Sequence, residues 1–469
     1  MKLFCTISTA ALFLCGCSSI GSIGGSKCGS PVPVALNARK KIPDNFFQAK
    51  PSGSGELIGT VDLDLALLTD IAFSNSPETR RAWNLAGLAA AQRGRGLSTV
   101  LPTVTISGGA TRQRSVNVAN LDADGTYITA VSEPALHIGY TILTFGATRA
   151  VAAAWQNLIG AQLIYNRSLQ TLLYRVQVAY FALDSAMASL EAREANLCDA
   201  IELQNFEEVR VCSGLGNRQA LLRARANTLQ ARGLVESARA NVEGARAALA
   251  EVVGVRVSSD FRVVRSKLPA NVEAVGGDVD AMVAKALSSR QDLLGSYAQW
   301  WSAEYLEQTA KCSMFPRLVI SADGANTNYV HRGHGKTFTA SAALSWDVFS
   351  GFDKFSRVME QRAQRRIAGE NLRSAGLKAA GEVWSQYHGH KSAHKQLISG
   401  RALLEAAKES FSAAELAYRN GLCSFTDVLG AQSALAAARE GLVAAENAFS
   451  TSLAALAYAV GDLGVIDGS

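Results

Sequence analysis

Three histidines near residue 390 are the first candidates for chemistry in this chain of 469 residues. His390 and His394 are four residues apart, so on a helix they would share one face and could bind a metal ion together. His388 lies two residues before them. No glutamate stands between them in a metalloprotease pattern, and no third ligand is obvious. We therefore favour histidines at the surface or between helices, and we predict neither a metal site nor a cofactor.

Motifs for covalent or nucleotide chemistry are missing from the sequence. The serines, histidines and aspartates have no nucleophile-elbow context, and there is no P-loop or dinucleotide-binding fingerprint. Five cysteines follow residue 17, and an odd number cannot all pair, although an oxidising compartment would allow one or two bridges. We interpret them as small residues in helix packing: Cys28, Cys198, Cys212, Cys312 and Cys423. We predict that the chain is not an enzyme.

The first residues have the pattern of a targeting segment. Lys2 is followed by an apolar run and then by Leu14-Cys15-Gly16-Cys17, which resembles a bacterial lipobox. This resemblance implies a signal peptide over 1–16 and a lipid on Cys17 that anchors the chain in outer-membrane lipid. Cys15 is unusual for a lipobox, so a plain secretory signal stays open as the alternative.

Charge argues against a nucleic-acid-binding protein, and hydropathy argues against membrane-spanning helices. The net charge is only +6, and Lys and Arg alternate with Asp and Glu without a basic cluster among aromatic residues, so we predict no nucleic-acid partner. Beyond residue 17 no apolar run reaches the roughly 18 to 20 residues of a membrane-spanning helix. If the chain crosses a membrane, it must do so with strands.

The turn after Tyr418 organises the C-terminal part of the sequence. Asn420-Gly421 predicts a helix end, because glycine tolerates the left-handed conformation that follows a C-cap. Ser424 is a predicted N-cap, and Asp427 three residues later completes a pattern like the capping box. A negative charge there also meets the positive end of the next helix dipole. The pattern predicts a tight reversal between two long helices.

An internal repeat relates this turn to an earlier one. Residues 213–224 match residues 420–431 at an offset of about 207, so Gly214 and Leu215 correspond to Gly421 and Leu422. The match predicts one structure built twice. The predicted segments are a tether over 17–60, a first repeat over 61–253 with a hairpin at 101–146, an irregular equatorial segment over 254–278, and a second repeat over 279–462 with a hairpin at 315–351.

Helix lengths suggest how the repeats pack. Each repeat has one long helix of about 65 to 68 residues and two of about 35, so two short helices end to end would equal one long helix of about 100 Å. We expect residues 217–253 to stack on 279–312, and residues 424–460 to stack on 62–97. The predicted fold class is α+β, mostly α, with long antiparallel helices and two β-hairpins.

The hairpins alternate apolar residues with small or polar ones. Leu318, Ile320 and Ala322 alternate in one strand, and Phe338 to Val348 alternate in the next. Four strands cannot close a barrel, and isolated hairpins with exposed edges are excluded from lipid. The pattern therefore predicts a cyclic oligomer that pools its strands.

From about residue 60 to 460, the chain resembles the TolC family of outer-membrane efflux proteins, and more closely its lipidated branch. The resemblance rests on the order and spacing of the repeats and of these motifs: Leu101-Pro102, Phe315-Pro316, Phe145-Gly146, Phe349-Ser350-Gly351 and Asp427-Val428-Leu429. It implies a homotrimer with a shared twelve-stranded outer-membrane β-barrel and a periplasmic helical tunnel. Such a tunnel is the exit duct of a tripartite pump for drugs or other small toxic solutes.

The same resemblance implies roles for individual residues. Asp427 stands at the family's constriction and Tyr418 at its gate, whereas Gly214, Leu215, Gly421 and Leu422 form the tip that an adaptor protein docks on and opens. This sequence departs from the pattern at Ala220, Cys423 and Gly430, where the family often has Asp, Arg and Asp. A Tyr418–Asp bond and a double acidic ring are therefore in doubt.

Two other functions remain open at this stage. A type I secretion duct has the same architecture and differs only in its inner-membrane pump. A periplasmic helical scaffold lipoprotein would be a monomer without a barrel.

Overall fold

The computed structural model describes residues 62–116, 126–143, 145–256, 262–264, 276–329 and 333–462. The predicted signal peptide over 1–16, the lipidated Cys17 and the tether over 17–60 lie outside the described residues.

Eight α-helices dominate the described part of the chain, which confirms the predicted class, α+β and mostly α. In chain order they are α1 (Leu65–Asn75), α2 (Pro77–Leu97), α3 (Ala147–Cys212), α4 (Arg218–Val253), α5 (Val279–Ser289), α6 (Gln291–Cys312), α7 (Asp353–Arg419) and α8 (Phe425–Val460). The two long helices, α3 and α7, have 66 and 67 residues, so each is roughly 100 Å long.

Each predicted N-terminal helix of a repeat is broken once. Ser76 separates α1 from α2, and Arg290 separates α5 from α6, both with extended backbone conformations. The predictions of continuous helices over 62–97 and 279–312 were wrong. At Ser76 the cause is Pro77, whose ring disfavours the helical conformation of the residue before it. Arg290 is the equivalent position of the second repeat, because residues 286–292 match residues 72–78 at an offset of 214. Its buried guanidinium donates to the Ala459 carbonyl at 3.2 Å.

The end-to-end stacking differs from the prediction. Gly254, after α4, lies against Asn75 at the end of α1, and Gly461, after α8, lies against Arg290. Along its length α3 packs against both α2 and α4, and α7 packs against both α6 and α8. Short helices of the same repeat therefore stack on each other. Helix length could not predict this pairing, because all four short segments are alike in length. Either pairing of them gives the length of one long helix.

Six strands form two sheets in the described residues: β1 (Asp62–Leu63), β2 (Thr103–Val116), β3 (Thr126–Leu143), β4 (Arg262–Val263), β5 (Arg317–Tyr329) and β6 (Gly333–Ser345). β1 and β4 pair in parallel. The other four form one antiparallel sheet in the order β2-β3-β5-β6. The two hairpins therefore share a sheet, with β2 and β6 as its edges.

Strand β6 is shorter than the alternating sequence predicted. It ends at Ser345, which pairs with Arg317, so Trp346 and Val348 lie beyond the strand. Pro316 precedes Arg317 and has no backbone N–H to continue the ladder. The Trp346 ring instead donates to the Met314 carbonyl at 3.0 Å.

The largest apolar core lies where α1, α3 and α4 meet. Leu68, Val176, Leu183, Leu249 and Val253 are almost fully buried there. Elsewhere the helices contact through many buried alanines, whose small side chains allow close approach. None of the described helices combines the length and the apolarity needed to cross a membrane.

Candidate functional site

Both helix reversals are built as the sequence predicted. Gly214 and Gly421 have φ values of 79° and 75°, in the left-handed region that favours glycine. After the second turn, the Leu422 N–H donates to the Ala417 carbonyl at 2.8 Å and closes the end of α7. The side chains of Leu215 and Leu422 are 77% and 81% exposed. Each turn therefore presents one leucine to solvent.

Asp427 completes a capping box with Ser424. Its carboxylate accepts from the Ser424 N–H at 2.9 Å and from the Ser424 hydroxyl at 2.7 Å. The Asp427 N–H donates back to the Ser424 hydroxyl at 3.3 Å. The hydroxyl contact, followed by the backbone contact, lowers the pKa of Asp427 below its usual value. The residue is exposed, so it presents a fixed negative charge at neutral pH.

Tyr418 does not contact Asp427. Its hydroxyl donates to the carboxylate of Glu207, on α3, at 2.7 Å. The ring is buried, and Glu207 has no exposed surface at all. Burial, followed by the contact with Glu207, raises the pKa of Tyr418. The tyrosine therefore stays protonated and able to donate.

Arg210 compensates the buried charge of Glu207. Its guanidinium lies 3.8 Å from the Glu207 carboxylate and 4.9 Å from the centre of the Tyr418 ring. The second carboxylate oxygen of Glu207 has no hydrogen-bond partner among the described residues. The Glu207 charge therefore depends on Tyr418 and Arg210 for its stabilisation.

The three departures from the family pattern occupy distinct environments. Ala220 is buried in the apolar cluster that surrounds Tyr418. The Cys423 thiol donates to the Ala414 carbonyl at 3.4 Å. Gly430 is exposed, with open space where a side chain would be. Ala220 thus lies beside the tyrosine without a polar group, and Glu207 is the acceptor instead.

Sequence reasoning missed Glu207 and Arg210. One signal was available in the repeat, because the offset of about 207 aligns Glu207 with Ala414. The first repeat therefore has a carboxylate where the second repeat has an alanine, four residues after the apolar Leu203. This difference between the repeats distinguishes Glu207 from its neighbours.

The histidines pack between or on helices. His390 is buried against the Phe449 ring, with 4.9 Å between ring centres, and its Nδ1 lies 3.0 Å from the Ser452 hydroxyl. Burial lowers its pKa, and the nearby His394 lowers it further. His388 is exposed beside Trp384. Within the described residues, no three His, Cys, Asp or Glu side chains are grouped to hold a metal ion.

The described cysteines are free thiols: Cys198, Cys212, Cys312 and Cys423. Cys28 lies outside the described residues.

A family model described as outer membrane efflux protein matches residues 68–255 and 282–462, which correspond to the two repeats. The chain belongs to this family. It is therefore an efflux duct of the outer membrane, with its helical body in the periplasm. Family membership supports a duct rather than an enzyme.

The chain also aligns with two named bacterial proteins. The chain is 25% identical over 332 residues to the protein CyaE of Bordetella pertussis, and the match covers 69% of each chain. It is 22% identical over 270 residues to the solvent efflux pump outer membrane protein SrpC of Pseudomonas putida, covering 56% of this chain and 57% of SrpC. The chain thus aligns with little more than half of the SrpC sequence.

The fold matches that of solved outer-membrane channels. The outer membrane protein VceC from Vibrio cholerae superposes with a TM-score of 0.76 at 17% identity, covering 85% of this chain and 96% of VceC. The agreement establishes the TolC-like fold.

Proposed function

We propose that three copies of this chain close a shared twelve-stranded β-barrel in the outer membrane and form the exit duct of a tripartite pump. One observation carries the proposal. The four-stranded sheet leaves an apolar face exposed, with Val104, Ile106 and Leu344 all more than half exposed, and within the described chain nothing pairs with the outer edges of β2 and β6.

Such a sheet is unfavourable in a single chain. Free edges in lipid leave backbone groups without partners, and an apolar face in water loses the hydrophobic contribution of burial. Three sheets joined edge to edge satisfy both requirements, because strand closure removes every edge and turns the apolar face toward lipid.

The native mass in mild detergent tests the assembly. Three chains of 49.6 kDa predict a species of about 150 kDa after detergent correction. A monomer from outer membranes that persists on dilution would overturn the shared barrel, and would favour the scaffold lipoprotein instead.

We infer that the gate lies at the tip of the helices. Asp427 is exposed and negatively charged beside the second turn, so three copies would form an acidic ring that favours cations. The Tyr418–Glu207 contact is buried and links α7 to α3. It would hold the resting tip closed, in the place of a tyrosine–aspartate bond.

We infer that an adaptor docks on the turns formed by Gly214-Leu215 and Gly421-Leu422. The exposure of Leu215 and Leu422 supports this proposal. An apolar side chain that a turn presents to solvent can fill a pocket on a partner. The partners would be the periplasmic adaptor and the inner-membrane pump. The name of SrpC suggests organic solvents among the small toxic solutes carried.

The lipid on Cys17 remains part of the proposal. Intact mass of the outer-membrane protein tests it, because processing before Cys17 and acylation change the mass together. A mature chain without added acyl groups would leave the plain secretory signal.

A further inference from the structure

A histidine–aspartate pair links the two hairpins of the sheet. His137 on β3 and Asp323 on β5 are directly opposite each other in the register. Nδ1 of His137 contacts the Asp323 carboxylate. An ionised carboxylate only accepts hydrogen bonds, so Nδ1 carries the proton in this contact. Both side chains are about half exposed.

The pair lies on one of two chemically distinct faces. The apolar face carries Val104, Ile106, Leu136, Ile138, Tyr140, Ile320, Phe338 and Leu344. The opposite face carries small and hydroxyl residues beside the pair, namely Thr103, Thr105, Ser107, Ala135, Gly139, Ser321, Thr339 and Ser341. Among the residues whose side chains are described, Arg317 at the helix end of β5 is the other charged group of this second face.

The neighbours of the pair orient it. The Ser321 hydroxyl donates to the second oxygen of Asp323 at 3.3 Å and lies 2.8 Å from the Ser341 hydroxyl. A side chain on Gly139 would place its Cβ 3.1 Å from Nε2 of His137. Gly139 therefore leaves room for the imidazole to lie over the strand, with Nε2 directed along the polar face toward Thr103.

We propose that the His137–Asp323 pair is the charge-selective element of the strand section of the duct, and that it favours cationic solutes. The inference rests on the proposed barrel, in which the apolar face meets lipid and the polar face lines the conduit. With neutral imidazole each pair carries one negative charge, and three copies would place three such charges around the wall.

Reversal potentials across planar lipid bilayers test this proposal. With the purified full-length protein in a KCl gradient at pH 8, Asp323→Asn should lower the cation preference by up to about eightfold, the Boltzmann factor for three unit charges each roughly 10 Å away in water. His137→Gln keeps the carboxylate, so it should keep the cation preference. His388→Gln, on the helical body, should leave the preference unchanged.

A second variant keeps the test decisive if the pair is needed for assembly. Thr105 is opposite His137 in the register on the same face, and Thr105→Asp should raise the cation preference at pH 8 without removing either member of the pair. Conductance with a selectivity that neither the Asp323 nor the Thr105 variant alters would overturn the inference alone. No conductance from the wild-type protein would overturn the proposed duct itself.

Discussion

The hydroxyl of Tyr418, one residue before the end of α7, donates a hydrogen bond of 2.7 Å to the fully buried carboxylate of Glu207 on α3. The bond joins the two long helices of the chain just above their turns. Because both partners are buried, neither can exchange the other for water without opening the tip. Separation of α3 from α7 would break this hydrogen bond, which is why we propose it as part of the gate.

Removing the tyrosine hydroxyl should loosen the tip. Tyr418→Phe leaves the buried Glu207 carboxylate without its donor, which costs about 1 to 3 kcal/mol. We expect a higher resting conductance in bilayers and greater sensitivity of cells to a large antibiotic that the intact outer membrane excludes.

Tyr387→Phe is the matched control. Its hydroxyl donates to the Gly277 carbonyl at 3.2 Å, far from the turns in the sequence and in an exposed position. It should leave the resting conductance unchanged. Equal leakage from both variants would remove Tyr418 from the gate.

A double-mutant cycle separates the hydrogen bond from the burial of charge. Glu207→Leu alone leaves the Tyr418 hydroxyl unpaired, whereas Glu207→Leu with Tyr418→Phe replaces the polar pair by an apolar one. We expect the double variant to melt higher than either single variant in thermal unfolding, and to leak nonetheless. Additive losses of stability would show that the two side chains do not interact.

Asp427→Asn should lower cation preference by the same factor at pH 5.5 and pH 8. The hydrogen bonds from Ser424 depress the pKa of Asp427. The carboxylate therefore stabilises the helix above the unfolded-state pKa of about 4, and this contribution is lost only as the pH falls through the lower folded-state value. Reversal potentials at both pH values check this expectation.

Ser424→Ala is the control for Asp427. It removes the N-cap, which costs about 1 kcal/mol of stability, and it keeps the carboxylate. Its ion selectivity at pH 8 should match that of the wild type. If Asp427→Asn leaves the selectivity unchanged, Asp427 does not line the constriction.

Leu215→Ser with Leu422→Ser should abolish export while the duct stays intact. Both leucines are exposed at the turns, so the substitutions remove apolar surface offered to a partner without disturbing the core. We expect loss of solute resistance in cells, with trimer mass and bilayer conductance retained. Full resistance would place the adaptor contact elsewhere.

Periodic and repeated features of the fold could be predicted from the sequence. The two glycine turns, the capping box of Ser424 and Asp427 and the long helices each depend on local residue chemistry. Local patterns survive in the structure because tertiary contacts reinforce them. The alternation of apolar with small or polar residues also located both hairpins.

Features that depend on contacts distant in sequence could not be predicted. No residue near Glu207 in the sequence indicates that Tyr418 is its partner, because the two residues are 211 positions apart. Similarly, the pairing of short helices depends on junction contacts such as that between Gly254 and Asn75. Helix length, which the sequence does show, is compatible with either pairing.

The junction at Arg290 is expected to be the most sensitive polar site of the helical body. Arg290 is 4% exposed, and its guanidinium donates to Glu382 at 2.7 Å and to Asp292 at 2.8 Å. Arg290→Ala removes a buried guanidinium, whereas its carboxylate partners are 43% and 35% exposed and keep Arg167 and Lys378 at 3.9 Å. We therefore expect a loss of stability below the roughly 3 to 5 kcal/mol of a fully buried pair. The thermal midpoint of the helical unfolding transition should fall.

Arg175→Ala provides the comparison. Arg175 contacts Glu78 at 2.7 Å, but both side chains are more than half exposed, so solvent screens the pair and its loss should cost no more than about 1 kcal/mol.

Arg290 also donates to the Ala459 carbonyl at the end of α8. Its loss should therefore increase hydrogen exchange where Gly461 meets Arg290 and leave exchange unchanged where Gly254 meets Asn75. If Arg290→Ala changes hydrogen exchange equally at both junctions, Arg290 does not hold the stacked helices together.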